Sequence, residues 1–271
     1  MTESVTKPSL LAVGGLDPTG GAGLLLDAAA ARHVGVHAAV VVAVVTVQDG
    51  GSFALARPED PALVREAVDF VLRALPVGAV KIGALGSAGI VEALTEASQA
   101  PSFPPLVVDP VMRSTTGGVL LDREGVAALA ARLLPRSALV TPNLAEAAIL
   151  AGCEVGSVGQ MEKAARRILE LGAGAVLVKG GHLDGDEAVD VFVDRTGTVR
   201  VLRSPRLPVG KVRGTGCALA SLVAALLAKG EPLEAAVERG RKLLLREMGR
   251  ARRVGPGPLV LDFSGAPAED E

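Results

Sequence analysis

Residues 38–47 read AAVVVAVVTV. An apolar run of this length is about half of what a bilayer-spanning helix needs. Its valines are β-branched and stiff, which suits a strand better than a helix. The run has no apolar/polar alternation, so both faces of that strand must be buried. That pattern belongs to a parallel sheet covered by helices on both sides. The rest of the chain repeats the theme. Short Val/Ile/Leu runs predict strands near 9–14, 78–82, 106–109, 137–141 and 175–179. Longer Ala/Leu/Arg/Glu segments predict helices near 21–34, 60–74, 88–99, 122–133, 143–152, 160–171, 216–229 and 233–249. Parallel neighbours need crossover connections, and these helices supply them. The stretch AVDVFVDRTGTVRVLRSPRL (188–207) breaks the rhythm: two alternating segments flank RTGT and predict an antiparallel hairpin. The expected fold class is α/β, with a mainly parallel central sheet, helices on both faces and a small antiparallel edge.

The chain has 271 residues, and no linker or internal repeat divides it, so one domain is expected over 1–271. Its core should run from about 9 to 258, with loose ends at 1–8 and 264–271. Hydrophobic residues make up 49% and charged residues 21%, the balance of a soluble globular protein. Aromatics are only 2%, so the core must be built from Ala, Val and Leu. A net charge of −2 and the lack of a basic stripe argue against a nucleic-acid partner. No run is long enough to span a membrane. The opening MTESVTKPSL has no charged segment followed by an apolar one, so no secretory signal is expected. Two cysteines, Cys153 and Cys217, make neither a disulfide framework nor a zinc site, and a reducing cytoplasm is the simplest setting. Cys153 reads as structural. His33, His37 and His182 show no partner and receive no role.

In open parallel sheets, ligands bind beyond the carboxyl ends of the strands. Seven loops there collect most of the clustered glycines and small polar residues: GGLDPTGGAG, TVQDGG, KIGALGS, DPVMRSTTGG, TPNLAEA, VKGGHLDG and VRGTGCA. The first is neither a dinucleotide fingerprint nor a P-loop, because Gly21 stands where a P-loop needs Lys. It reads as backbone approaching a ligand closely, or as a plain turn into a helix. In VRGTGCALAS (212–221), Gly214 and Gly216 allow unusual dihedrals just ahead of a helix. Backbone N–H groups and the helix dipole would form an anion hole there, suited to a phosphoryl group. The same position should depress the Cys217 pKa. Cys217 could equally be a small residue packing a helix start.

Together these loops resemble the ribokinase-like kinases, and within them the hydroxymethylpyrimidine/phosphomethylpyrimidine kinases of thiamine biosynthesis. The resemblance rests on LDPTGGAGLLLD, TVQD, KIGALGS, VVDPVM, VTPNLAEA, VLVKGGHLDGDEAVD and GTGCALAS, in one order from about residue 9 to 258. It implies a three-layer ribokinase-like fold, ATP and Mg²⁺ as cofactors, a small-molecule pyrimidine substrate and a homodimer. It implies a pyrimidine pocket of Gly15, Ala22, Asp27, Gln48, Ala84 and Val111. The Gln48 carboxamide both donates and accepts, which matches an aminopyrimidine edge. Asp27 has an alternative as a charge on a solvated helix face. Asp109 and Glu146 are the implied Mg²⁺ residues. Lys179, Asn143, Glu146, Thr215 and Arg241 are the implied ATP residues. Asn143 and Glu146 could instead be a capping box. Gly214, Thr215, Gly216 and Cys217 are the implied catalytic turn, with Cys217 as base or as an orienting group. A lid is expected at 112–120.

The chain departs from the family pattern at four places, one being VGPGPL (254–259), which lacks the His of a Gly-His-Gly run. Lys211, Val212 and Arg213 replace Asn-Thr-His. Thr115, Thr116, Gly117 and Gly118 replace Lys-Ser-Gly-Asp. Arg241 aligns with a lysine. Two other readings are therefore carried: a pyridoxal or pyridoxine kinase of the same fold, and a pyrimidine-binding protein without catalysis. A nicotinamide-dependent oxidoreductase is disfavoured by the missing fingerprint.

Overall fold

A computed structural model describes residues 7–183, 185–255 and 257–264. Apart from residues 7, 8 and 264, the ends expected to be loose lie outside the described residues. The elements run β1 (Ser9–Leu16), α1 (Gly23–His33), β2 (His37–Gln48), β3 (Phe53–Pro58), α2 (Pro61–Ala74), β4 (Val77–Ile82) and α3 (Ala88–Ala97). They continue with β5 (Leu106–Val108), α4 (Arg123–Ala128), β6 (Leu139–Val140), α5 (Leu144–Ala151), α6 (Val158–Glu170), β7 (Ala175–Lys179), β8 (Glu187–Asp194) and β9 (Val199–Pro205). The last are β10 (Val212–Arg213), α7 (Thr215–Ala228), α8 (Leu233–Met248), β11 (Arg252–Arg253) and β12 (Leu259–Val260).

Nine strands form one sheet in the order β3-β2-β1-β4-β5-β6-β7-β8-β9. From β2 to β7 every pairing is parallel; β3 at one edge and the β8–β9 hairpin at the other are antiparallel. Successive strand residues point to opposite faces. Leu10 packs with α1, α7 and α8, while its neighbour Leu11 packs with α2, α3 and α6. Both are fully buried. This is the three-layer arrangement that the uninterrupted valine run predicts. No described helix is long and apolar enough to cross a membrane.

The structure corrects the sequence reading in four places. Strand β3 was not expected; it pairs antiparallel to β2, with Val47 opposite Leu55, and forms a flap on the sheet edge. A second sheet, β10-β12-β11, joins the segment before the glycine turn to the chain's end. Its strands are two residues long and carry no periodicity to read. The helix expected over 122–133 is α4 followed by a π turn at Leu129–Leu133 and a 3₁₀ turn at Leu134–Arg136. His33 does have a partner: it is buried 3.6 Å from the fully buried Glu247, and its ring lies 5.3 Å from that of Phe263.

Candidate active site

The carboxyl ends of β1, β2, β4, β5, β6 and β7 open onto one cavity of about 550 Å³. All the residues expected to act line it: Gly15, Ala22, Asp27, Gln48, Ala84, Asp109, Val111, Asn143, Glu146, Lys179, Gly214, Thr215, Gly216, Cys217 and Arg241. Their sequence separation is large, and the parallel sheet brings most of them together at its strand ends, while Asp27 comes from α1 and Arg241 from α8.

Gly214 sits at φ +78° as the N-cap of α7, and a Cβ there would lie 2.3 Å from the Gly21 carbonyl oxygen. Only glycine allows that approach. With no side-chain cap on α7, the first-turn N–H groups are free to receive an anion. Lys179 Nζ completes this corner, 3.0 Å from where a Gly216 side chain would begin. It donates to Asp109 Oδ1 at 2.7 Å. Burial opposes its charge, but Asp109 and Glu146 hold its pKa above the ordinary lysine value.

Asn143 and Glu146 do form the capping box. Asn143 Oδ1 accepts the Glu146 N–H at 2.9 Å, and Glu146 Oε2 accepts the Asn143 N–H at 2.8 Å. Burial pushes the Glu146 carboxyl up to about 7; Lys179 opposes this and the Asp109 charge adds to it. Two buried carboxylates thus share one lysine, which leaves surplus negative charge. Among the described residues no three-ligand cluster of His, Cys, Asp and Glu exists. Magnesium rarely needs one: it takes one or two carboxylates, water and substrate phosphate. Asp109 and Glu146 fit that role.

One expectation fails here, and one residue that lines the cavity is already engaged. The Cys217 thiol is not depressed. Burial pushes it up to about 11, with Asp109 and Asp27 adding to the rise and Lys81 opposing it. Desolvation outweighs the helix terminus, so the thiol keeps its proton near neutral pH. Arg241 does not reach out as a free phosphate ligand. Its Nε donates to Asp190 Oδ2 at 2.7 Å and its Nη2 to the Leu202 carbonyl at 3.0 Å. Asp190 Oδ1 in turn accepts the Gly180 N–H at 2.9 Å, so Arg241 braces the β8–β9 hairpin against the turn after Lys179.

Asp27 is on no solvated face. It is fully buried at the cavity wall, and accepts from Lys81 Nζ at 2.7 Å and from the Ser221 hydroxyl at 2.8 Å. Burial raises its carboxyl and opposes the lysine charge, but the ion pair prevails and holds Lys81 above its ordinary value. Lys81 was missed. The signal was there: a lysine inside the apolar strand VGAVKI must have a buried partner.

The family model for phosphomethylpyrimidine kinase matches residues 17–261. The chain belongs to the phosphomethylpyrimidine kinase family. It is 39% identical to the hydroxymethylpyrimidine/phosphomethylpyrimidine kinase of Rhizobium meliloti, over 92% of this chain and 95% of that one. Among solved structures, a phosphomethylpyrimidine kinase from Clostridium difficile 630 superposes with a TM-score of 0.77 at 31% identity, covering 89% of this chain and 99% of the other. An ADP complex of Bacillus subtilis pyridoxal kinase superposes with a TM-score of 0.87 at 27% identity, covering 96% and 98%.

For a phosphomethylpyrimidine kinase, the glycine-rich stretch 113–118 is well tied down. Arg113 bridges Val119, the Ser114 hydroxyl accepts the Gly118 N–H at 2.9 Å, and Gly118 lies flat against the Phe53 ring of β3. Lys211 is exposed, whereas Arg213 is buried in the cavity wall beside Gln48 and Asp17.

Proposed function

We propose that this chain is an ATP- and Mg²⁺-dependent kinase of thiamine biosynthesis. It phosphorylates the hydroxymethyl group of 4-amino-5-hydroxymethyl-2-methylpyrimidine and then the resulting monophosphate, giving the pyrophosphate. One observation carries this reading. A single cavity sets an uncapped helix start and Lys179 beside two buried carboxylates, and the same cavity ends in a pocket of Gly15, Ala22, Ala84, Val111 and Gln48.

Phosphoryl transfer is mostly positioning and charge stabilisation. The N–H groups of Thr215, Gly216 and Cys217 face the charge that develops on the transferring group, and Lys179 adds a full positive charge. Asp109 holds that ammonium in place. Bound Mg²⁺ would neutralise nucleotide phosphate charge beside Asp109 and Glu146. Cys217 lies where the acceptor hydroxyl must come, and its protonated thiol orients rather than deprotonates. A general base is worth about 10²–10⁴-fold. Cys217→Ala should therefore lose less than about tenfold in kcat, and a loss near the upper figure would restore the base role.

The raised Glu146 pKa has a pH consequence. Below about 7 the carboxyl holds its proton, which an incoming cation must displace. Affinity for Mg·ADP should rise as pH rises from roughly 6 to 8, and Glu146→Gln should flatten that rise. Titration calorimetry across this range reads it, and an unchanged slope in the variant would exclude Glu146.

The chain should act as a homodimer. Val45, Val47 and Leu55 form an exposed apolar patch on one face of the β2–β3 flap, with Val47 and Leu55 directly paired. Val47→Glu should shift sedimentation equilibrium towards monomer; no shift would place the contact elsewhere. Two free cysteines suit a reducing cytoplasm.

The test of function is ADP release with Mg·ATP and three acceptors in parallel: the hydroxymethylpyrimidine, its monophosphate and pyridoxal. Turnover with both pyrimidines is expected. The likeness to pyridoxal kinase favours a second reading, and turnover with pyridoxal alone would move the chain there. Pyrimidine binding without turnover would make it a binding protein whose phosphate side has lost the chemistry.

A further inference from the structure

Arg213 enters the cavity from β10, one residue before the Gly214 turn, and is almost fully buried. Its guanidinium meets the Asp17 carboxylate at 3.1 Å and donates to the Thr19 hydroxyl at 3.2 Å and to the Gln48 side-chain carbonyl. The direction of hydrogen bonding through Gln48 is forced at both ends. The backbone carbonyl of Leu16 can only accept, so the Thr46 hydroxyl donates to it, at 2.8 Å. The Thr46 oxygen then accepts from Gln48 Nε2 at 2.8 Å. At the other end a guanidinium can only donate, so it must meet the amide oxygen. The carboxamide therefore has one orientation, and its carbonyl is held in a charge-assisted bond. The nearby carboxylate is also withdrawn. Asp17 Oδ1 accepts the N–H and the hydroxyl of Thr19, and Oδ2 is sealed from solvent beside the guanidinium. Beyond the second lone pair of a Gln48 oxygen already turned to the guanidinium, this end of the pocket offers N–H: one on Gln48, and those guanidinium hydrogens not already engaged.

We propose that Arg213 determines acceptor specificity. By holding the Gln48 carbonyl it makes the polar end of the pocket a donor surface. That surface selects a heteroaromatic alcohol through an acceptor atom of its ring, not through an exocyclic amine. The inference rests on the kinase reading above and deepens it. It replaces the expectation that Gln48 reads both halves of an aminopyrimidine edge.

The test is kcat/KM for the hydroxymethylpyrimidine, its analogue without the 4-amino group, and two analogues in which one ring nitrogen in turn becomes C–H. A lost hydrogen bond to an unpaired buried donor costs about tenfold or more. In the wild type, one of the two nitrogen replacements should cost at least about tenfold, whereas removing the amine should cost less than about threefold. In Arg213→Met the freed Gln48 carbonyl reads the amine, and its removal should then cost about tenfold. Arg213→Met leaves the Asp17 charge without its partner, so Asp17→Asn/Arg213→Met serves as the electrically matched variant and should behave alike. A wild type that loses about tenfold on amine removal, or variants with unchanged substrate ratios, would overturn the inference while leaving the kinase reading intact. No turnover of any pyrimidine would overturn both.

Discussion

Lys81→Met should lower the free energy of unfolding by about 3–5 kcal/mol. The pair it breaks is buried at both ends. Lys81 and Asp27 are both about 1% exposed at the side chain, and their bond is 2.7 Å long. Lys81 comes from the middle sheet and Asp27 from α1, so the pair fastens one helical layer to the strands. A methionine fills much the same volume, which removes packing loss as the main cause. What remains is an Asp27 carboxylate held by the Ser221 hydroxyl alone. It must either stay charged in a dry site or take up a proton. The variant's stability should therefore recover as pH falls towards the carboxylate range. Replacing both partners, in Asp27→Leu/Lys81→Met, should return most of the loss. Urea unfolding at two pH values is the measurement. A loss below about 1 kcal/mol would mean that the pair is already neutral in the native state.

Lys179→Met should act on the reaction and leave the fold largely intact. The lysine sits at a cavity edge, 14% exposed, where water can replace it beside Asp109. Its ammonium lies 3.0 Å from where a Gly216 side chain would begin, against the first turn of α7. Loss of one preorganised charge aimed at a transferring group costs about 10²–10³-fold in kcat. The effect should fall on kcat more than on the acceptor KM, because the acceptor pocket lies around Gln48 and not around Lys179. The lysine also opposes the rise in the Glu146 pKa, so its removal should push that carboxyl further up and move the pH dependence of Mg·ADP binding to higher pH. Steady-state kinetics with a thermal melt as control would decide it. A kcat within about tenfold of the wild type would leave the backbone N–H groups as the whole anion site.

The layered architecture was legible in the sequence because its signals are local. The valine run at 38–47 states that β2 is a strand of the sheet, although Val40, Val45 and Val47 stay exposed instead of buried, and the alternating segments at 188–207 state that β8 and β9 are not a parallel crossover. The positions of Gly214, Asp109, Asn143 and Lys179 could also be read, since each follows a strand and the parallel sheet gathers strand ends on one side. Charge partners were not legible. Asp27 lies 54 residues from Lys81, Asp190 lies 51 from Arg241, and Gln48 lies 165 from Arg213. Nothing in a linear pattern says which opposite charge a buried residue will meet. That choice engages Arg241 with Asp190 and Asp27 with Lys81, although both line the cavity. The Cys217 pKa followed the same logic. The helix start was visible in VRGTGCALAS, but the desolvation and the Asp109 and Asp27 charges that raise the thiol exist only in the folded cavity. The sequence by itself determined the central parallel strands, their crossover helices and the glycine-rich turns at the strand ends. Tertiary structure decided which side chains are free to act, because desolvation and pairing depend on neighbours that only folding supplies.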